Sequence, residues 1–176
     1  MNPIHTLLFI GLMSLGSHSF GQAPSQTRPS LGFDAALKLA TETRLACQRM
    51  GFSVAVSVVD RQALPLVLLV SDDAFAHARK TSERKARTAA SRRASTGDIL
   101  GGNDHEQSLG VAFHAIGLTT LSGGLPVVHD NQYVGGVGVA GAPGQNALGQ
   151  DFDTLCAEAG IKSIGAQWAA AKGTKE

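Results

Sequence analysis

The chain has 176 residues, 43% of them hydrophobic but only 5% aromatic, with 21 glycines and a formal net charge of +1. That length gives one domain a real core and is short for two, and the balanced charge gives no argument for nucleic acid as a partner. With so few rings, the core must rely on close backbone packing of small residues.

Residues 7–15 (LLFIGLMSL) form an apolar run of signal-peptide length, too short to cross a bilayer. Small and polar residues follow, with cleavage sites after Gly21 or Ala23, although the opening MNPIH carries no Lys or Arg. Residues 1–23 are therefore read as a signal peptide. The product is expected to be periplasmic or secreted, with no membrane insertion once the signal is removed. Residues 24–31 are a polar lead-in expected to be mobile, 32–165 the folded domain, and 166–176 a C-terminal tail. In an oxidising compartment Cys47 and Cys156 suggest one bridge between the first and last helices; two buried free thiols are the other reading.

Residues 33–50 read as an amphipathic helix, with Phe33, Ala36, Leu37, Ala40, Cys47 and Met50 at three- and four-residue steps and Gly51 as the stop. Residues 53–60 (SVAVSVVD) and 64–71 (LPLVLLVS) read as an antiparallel hairpin. Asp72 and Asp73 suit the start of a long helix over 74–93, with Ala78, Ser82, Ala86, Ala89 and Ala90 as a stripe of small residues. That stripe allows close approach to a sheet or a partner. Residues 95–110 look like a glycine-rich loop with room for a short helical turn. Residues 116–122, 126–129 and 133–140 read as three more strands, and 150–160 as a closing helix. Hairpins without βαβ alternation argue for an α+β domain built on an antiparallel sheet.

Glycines 136, 138 and 141 spell GxGxxG inside the last strand. A dinucleotide fingerprint needs a helix to open there and an acidic residue about twenty positions on. Position 160 is glycine, so the match is rejected. Glycines within a strand mark close approach by a helix or a ligand. The long helix carries Arg79, Lys80, Arg84, Lys85, Arg87, Arg92 and Arg93 against one acid, Glu83. This is either a solvated face or a cationic wall for an anionic ligand such as a pair of propionates or a phosphate. His77, His105, His114 and His129 make no zinc-type spacing; His114 reads as half-buried beside the third strand, and His129, before a turn, as solvent-facing. His77, in the first turn of the basic helix, is of the residue type that ligates haem iron. Asp104, His105 and Glu106 form a polar trio able to move protons. No nucleophile motif stands out, and no catalytic residue is assigned.

Several segments, in order, resemble the GlcG/HbpS family of haem-degrading-domain proteins. They are Val58-Val59-Asp60-Arg61, Ser71-Asp72-Asp73-Ala74, the run from Ser82 to Ala89, Ser95-Thr96, the run from Ser122 to Val127, the run from Val134 to Gly141, and Asp153 with Ala159-Gly160. The resemblance spans about Leu31 to Ile161 and is strongest to the exported HbpS-type branch. It implies a profilin-like α+β fold with a five-stranded antiparallel sheet, homo-oligomers, haem binding, and in some members iron handling or signalling through a membrane sensor kinase. Two departures stand out: Ala63 occupies the family's usual glycine in the first hairpin turn, and Asp72-Asp73-Ala74 replaces a glycine-containing segment. In the HbpS-like branch a threonine oxygen is the proposed type of iron contact, and Thr88 and Thr96 lie in matching segments. The axial ligand thus stands open between His77 and a threonine.

The leading reading is an exported haem-binding protein, with Arg84, Lys85 and Arg92 pairing the propionates and His77, Thr88 or Thr96 facing the iron. Slow haem breakdown would be a side reaction. One rival is an enzyme acting on a small anionic metabolite through the basic helix 79–93 and the trio 104–106. The other is a ligand-free oligomeric interaction module that uses the small-residue stripe.

Overall fold

The structure, a computed structural model, describes residues 28–98 and 105–167. The expected signal peptide and most of the C-terminal tail lie outside them. Helix α1 (Phe33–Arg49) turns Ala36, Leu39, Ala40, Thr43, Ala46 and Cys47 inward, the spacing that keeps one stripe on the core. Gly51 ends it at φ +86, and the Phe52 N–H returns to the Cys47 carbonyl at 3.0 Å. Strands β1 (Ala55–Asp60) and β2 (Pro65–Val70) follow as a hairpin. Asp60 Oδ1 accepts the N–H groups of Gln62 and Leu64, each at 2.8 Å, and Ala63 takes φ +63. A positive φ there explains why glycine would suit this position.

Helix α2 (Ala78–Arg92), a 3-10 turn (Thr96–Asp98) and helix α3 (His105–Ala115) come next. Strands β3 (Gly124–His129) and β4 (Gln132–Ala140) are joined through Asp130 and Asn131, both at positive φ, and helix α4 (Phe152–Ser163) closes the order. The sheet runs β2-β1-β4-β3 with every pair antiparallel. Alternation in β1 sends Val54, Val56 and Val58 toward α1 and α4, and Ala55 and Val59 toward α2. After α4 the chain returns to the β3 edge, where Gln167 and Val128 exchange two backbone hydrogen bonds at 2.7 and 2.9 Å.

The five-stranded, profilin-like expectation is corrected. Among the described residues the sheet has four strands, and the α+β class is what stands. Residues 116–122, expected as a strand, join no ladder. Gly117 at φ +79 turns the chain out of α3, and threonine side chains take the backbone groups that a ladder would use. Thr88 Oγ1 accepts the Thr119 N–H at 2.9 Å, Thr119 Oγ1 accepts the Leu121 N–H at 3.3 Å, and Thr96 Oγ1 donates to the Leu121 carbonyl at 2.6 Å. Residues 105–110, expected within a loop with room for a short helical turn, instead open the 11-residue helix α3.

Two close approaches shape the layers. At Gly136 an added Cβ would lie 2.6 Å from the Ala86 carbonyl oxygen, and at Gly138 one would strike the Ser82 carbonyl. The glycine run of β4 exists so that α2 can lie on the sheet, and the Ala78–Ala90 stripe is what lies there. On the other face, Cys47 and Cys156 form a disulfide between α1 and α4. One turn along each helix, Gly160 sits against Thr43 Oγ1, a buried hydroxyl without a hydrogen-bond partner. The bridge spans a sequence separation of 109. Closing a loop of that size restricts the unfolded chain by roughly 4–5 kcal/mol in the chain-entropy account.

Candidate functional site

Helix α2 has two faces with different chemistry. Inward lie Ala78, Ser82, Lys85, Ala86, Ala89 and Ala90. Lys85 is only 4% exposed. Its Nζ donates to the Val139 carbonyl and to Asp153 Oδ2, both at 2.7 Å, while Asp153 Oδ1 accepts the Ala142 N–H at 2.9 Å. Burial is the strongest influence on Asp153 and raises its carboxyl above the ordinary 3.8, against the pull of Lys85 and the Ala142 N–H. This ion pair ties α2 to β4 and α4, so Lys85 is not part of a solvent-facing wall.

The other face carries His77, Thr81, Arg84 and Thr88 at steps of four, three and four residues, spacing that stacks them along one side of the helix. His77 precedes the first helical residue, is exposed, makes no side-chain cap, and stacks on Phe75 with centroids 5.7 Å apart and planes 11° from parallel. Thr81 Oγ1 donates back to the His77 carbonyl at 3.1 Å. Arg84 is half-buried, with Nη1 3.5 Å from Nδ1 of His114 at the end of α3. Arginine can only donate, so Nδ1 of the ring is the acceptor in this contact. Thr88 is buried and occupied, donating to the Arg84 carbonyl at 2.7 Å and accepting from Thr119.

Of the five candidates named from sequence, the fold therefore gathers His77, Arg84 and Thr88 on one face. It sends Lys85 inward. Thr96 lies elsewhere, buried under the start of β3, where its hydroxyl accepts the Gly124 N–H at 3.0 Å and donates to Leu121. The cationic wall is thinner than its charge count. Arg79 reaches Glu83 at 3.9 Å, Arg92 lies over the Phe113 ring and Arg93 over the Tyr133 ring, each 5.5 Å from the centroid. Arg92 is thus engaged with a ring as the structure stands. Lys80 and Arg87 remain exposed beside Arg84.

His114 is the residue that sequence reading undervalued, placing it half-buried beside a strand. It is exposed on α3, one turn from the exposed Val111 and two residues before the exposed Ile116. Its partnership with Arg84 is tertiary, and no spacing in the chain signals it. His129, expected at the surface, is exposed and lies 3.5 Å from Asp130. Asp104 and the side chains of His105 and Glu106 lie outside the described residues. The small-residue stripe of the interaction-module reading is buried on the chain's own sheet.

The donor set fits a porphyrin-held iron better than a bare ion. Among the described residues no group of three or more His, Cys, Asp or Glu side chains is placed to hold a metal. A haem iron needs only one or two protein donors because the porphyrin supplies the rest. Lone exposed imidazoles beside a guanidinium and exposed apolar side chains meet that need.

A family model described as haem degrading protein HbpS-like matches residues 31–162. The chain belongs to the HbpS-like family. A solved structure of HbpS is 34% identical, with a TM-score of 0.67, covering 80% of this chain and 95% of that one. A double mutant of HbpS from Streptomyces reticuli is 28% identical, with a TM-score of 0.67 and coverage of 91% and 97%. The PduOC:haem complex, at 22% identity, TM-score 0.64 and coverage of 78% and 97%, shares the fold. No curated protein sequence matches the chain. Haem handling is thus associated with this chain's family through the family's own description. Among the described residues, no helix is long and apolar enough to cross a membrane.

Proposed function

We propose that this HbpS-like protein is an exported haem-binding protein that holds its ligand on the outer face of α2. The observation that carries the reading is the alignment of His77, Thr81 and Arg84 on that face, with His114 of α3 meeting Arg84. The solved haem complex of PduOC supports the choice of ligand.

In this reading His77 is the axial donor, because its imidazole is exposed and has no hydrogen-bonded role in the fold. Thr88 and Thr96 have their hydroxyls committed to backbone groups, so using either would cost those bonds. Arg84 and its neighbours Lys80 and Arg87 receive the propionates, as guanidinium and ammonium groups receive carboxylates elsewhere. Phe75, Val111 and Ile116 supply exposed apolar surface for the porphyrin edge. The bound group would supply a redox-active iron, and peroxide reaching it from solution, as the oxidant, would break the haem down slowly as a side reaction. Export rests on the apolar run at residues 7–15, self-association and signalling to a membrane sensor kinase rest on the family resemblance, and all three belong to the same proposal.

The test is an absorbance titration of the purified protein with hemin against an albumin control. A saturable one-to-one Soret shift that is lost in His77→Ala supports the reading. A shift that survives in His77→Ala but is lost in His114→Ala moves the axial role to α3, and one no stronger than the control's removes haem.

A further inference from the structure

A second site lies apart from the α2 face. A cleft of about 450 Å³ opens between the 3-10 turn, the start of β3, the loop before α4 and α4 itself, and shares no residue with the proposed haem surface. Among the described residues its lining includes three carboxylates, Asp98, Asp151 and Glu158, and no Lys, Arg or aromatic residue. Asp151 already has a role. Its Oδ1 caps α4 by accepting the Thr154 N–H at 2.9 Å and the Thr154 hydroxyl at 3.0 Å. Asp98 and Glu158 have no such occupation within the cleft. Partial burial raises the Glu158 carboxyl above the ordinary 4.5, and Lys162 one turn further along α4 pulls it only partly back.

Ser95 is the second, independent observation. It is 8% exposed and lines the cleft, yet its hydroxyl has no hydrogen-bond partner among the described residues. The oxygen is not closed off from solvent, and a hydroxyl at the wall of a cleft is met by what enters it. The lining selects the chemistry. Three carboxylates against Lys162 beside Glu158 leave an excess of negative charge, which repels anions, haem propionates included. Direct coordination of a bare metal is disfavoured, since no group of three or more ligating side chains is assembled among the described residues. A sugar ring would have no aromatic face to rest on. An ammonium group offers three N–H donors to carboxylate and hydroxyl oxygens, and the cleft falls in the range that takes small molecules.

We infer that this cleft binds a small aliphatic di- or polyamine, with its ammonium groups met by Asp98 and Glu158 and one N–H taken by the Ser95 hydroxyl. The inference is independent of the haem reading. It is tested by isothermal titration of the purified, disulfide-intact protein with spermidine and putrescine, checking each variant's thermal midpoint. Saturable binding at one site is expected, weakened about tenfold or more by Glu158→Gln and by Asp98→Asn, as for loss of a charged hydrogen bond. A smaller loss is expected in Ser95→Ala and none in His77→Ala. Absence of saturable heat would overturn the inference. So would binding that survives both carboxylate substitutions, or complete displacement by an equal concentration of Mg²⁺.

Discussion

The inner and outer faces of α2 are separated by less than half a turn, share one run of basic residues, and have opposite uses. The inner face is filled: alanines lie on Gly136 and Gly138, and Lys85 is locked to Asp153. The outer face is open: among the described residues His77 stacks on Phe75, and the Arg84 side chain reaches the exposed ring of His114. Positive charge on a helix therefore says little about role until each side chain's partner is known. Substitutions inside should unfold the protein, and substitutions outside should change only what it binds.

The largest effect is expected from Lys85→Met, which leaves the Asp153 carboxylate buried without its cation. Breaking a buried pair on one side costs roughly 3–5 kcal/mol, to be read from urea midpoints. A loss under about 1 kcal/mol would show that the pair is exposed in solution. Gly138→Ala comes next. Its Cβ has no room against Ser82 and Ala86, so overpacking should cost roughly 1–3 kcal/mol, seen as a lower thermal midpoint. A smaller, pH-dependent effect comes from Asp153. A folded pKa above the unfolded value means the native state binds the proton more tightly. Its contribution is thus fully present below 3.8 and is lost as pH rises through the raised folded value. Asp153→Asn should flatten that fall in a series of urea melts, and an unchanged slope would contradict it. On the outer face, His77→Ala and Arg84→Ala should each move stability by no more than about 0.5 kcal/mol. A large loss from either would erase the contrast between the faces.

Much of the inner face was legible in the chain. The alternation of residues 53–60, the alanine stripe and the glycines of β4 predict a helix lying tightly on a sheet, because small residues at those periods have few other uses. The strand expected at 116–122 failed for a local reason. Thr119 and Thr120 carry the β-branched composition of a strand, but the hydroxyls of Thr88, Thr96 and Thr119 satisfy the backbone of that segment, and such bonds leave no periodic trace. Lys85 was misleading for a related reason. Its spacing to Arg84 and Arg87 suits a cationic surface, whereas its partner Asp153 lies 68 positions away. On the outer face, His77 and Arg84 were visible as candidates, while the contact of Arg84 with His114 depends on how α3 docks. The polar cleft was not visible at all, since Ser95, Asp98 and Glu158 come from segments with no shared pattern.

The most direct test of the central claim is a hemin titration run in parallel on the wild type, His77→Ala and Arg84→Ala, with a urea melt of each. The account predicts a saturable one-to-one Soret shift for the wild type, its loss in His77→Ala and a weakened affinity in Arg84→Ala, with all three melts coincident. Undiminished binding in both variants, on folds of equal stability, would contradict it and place haem away from the outer face of α2.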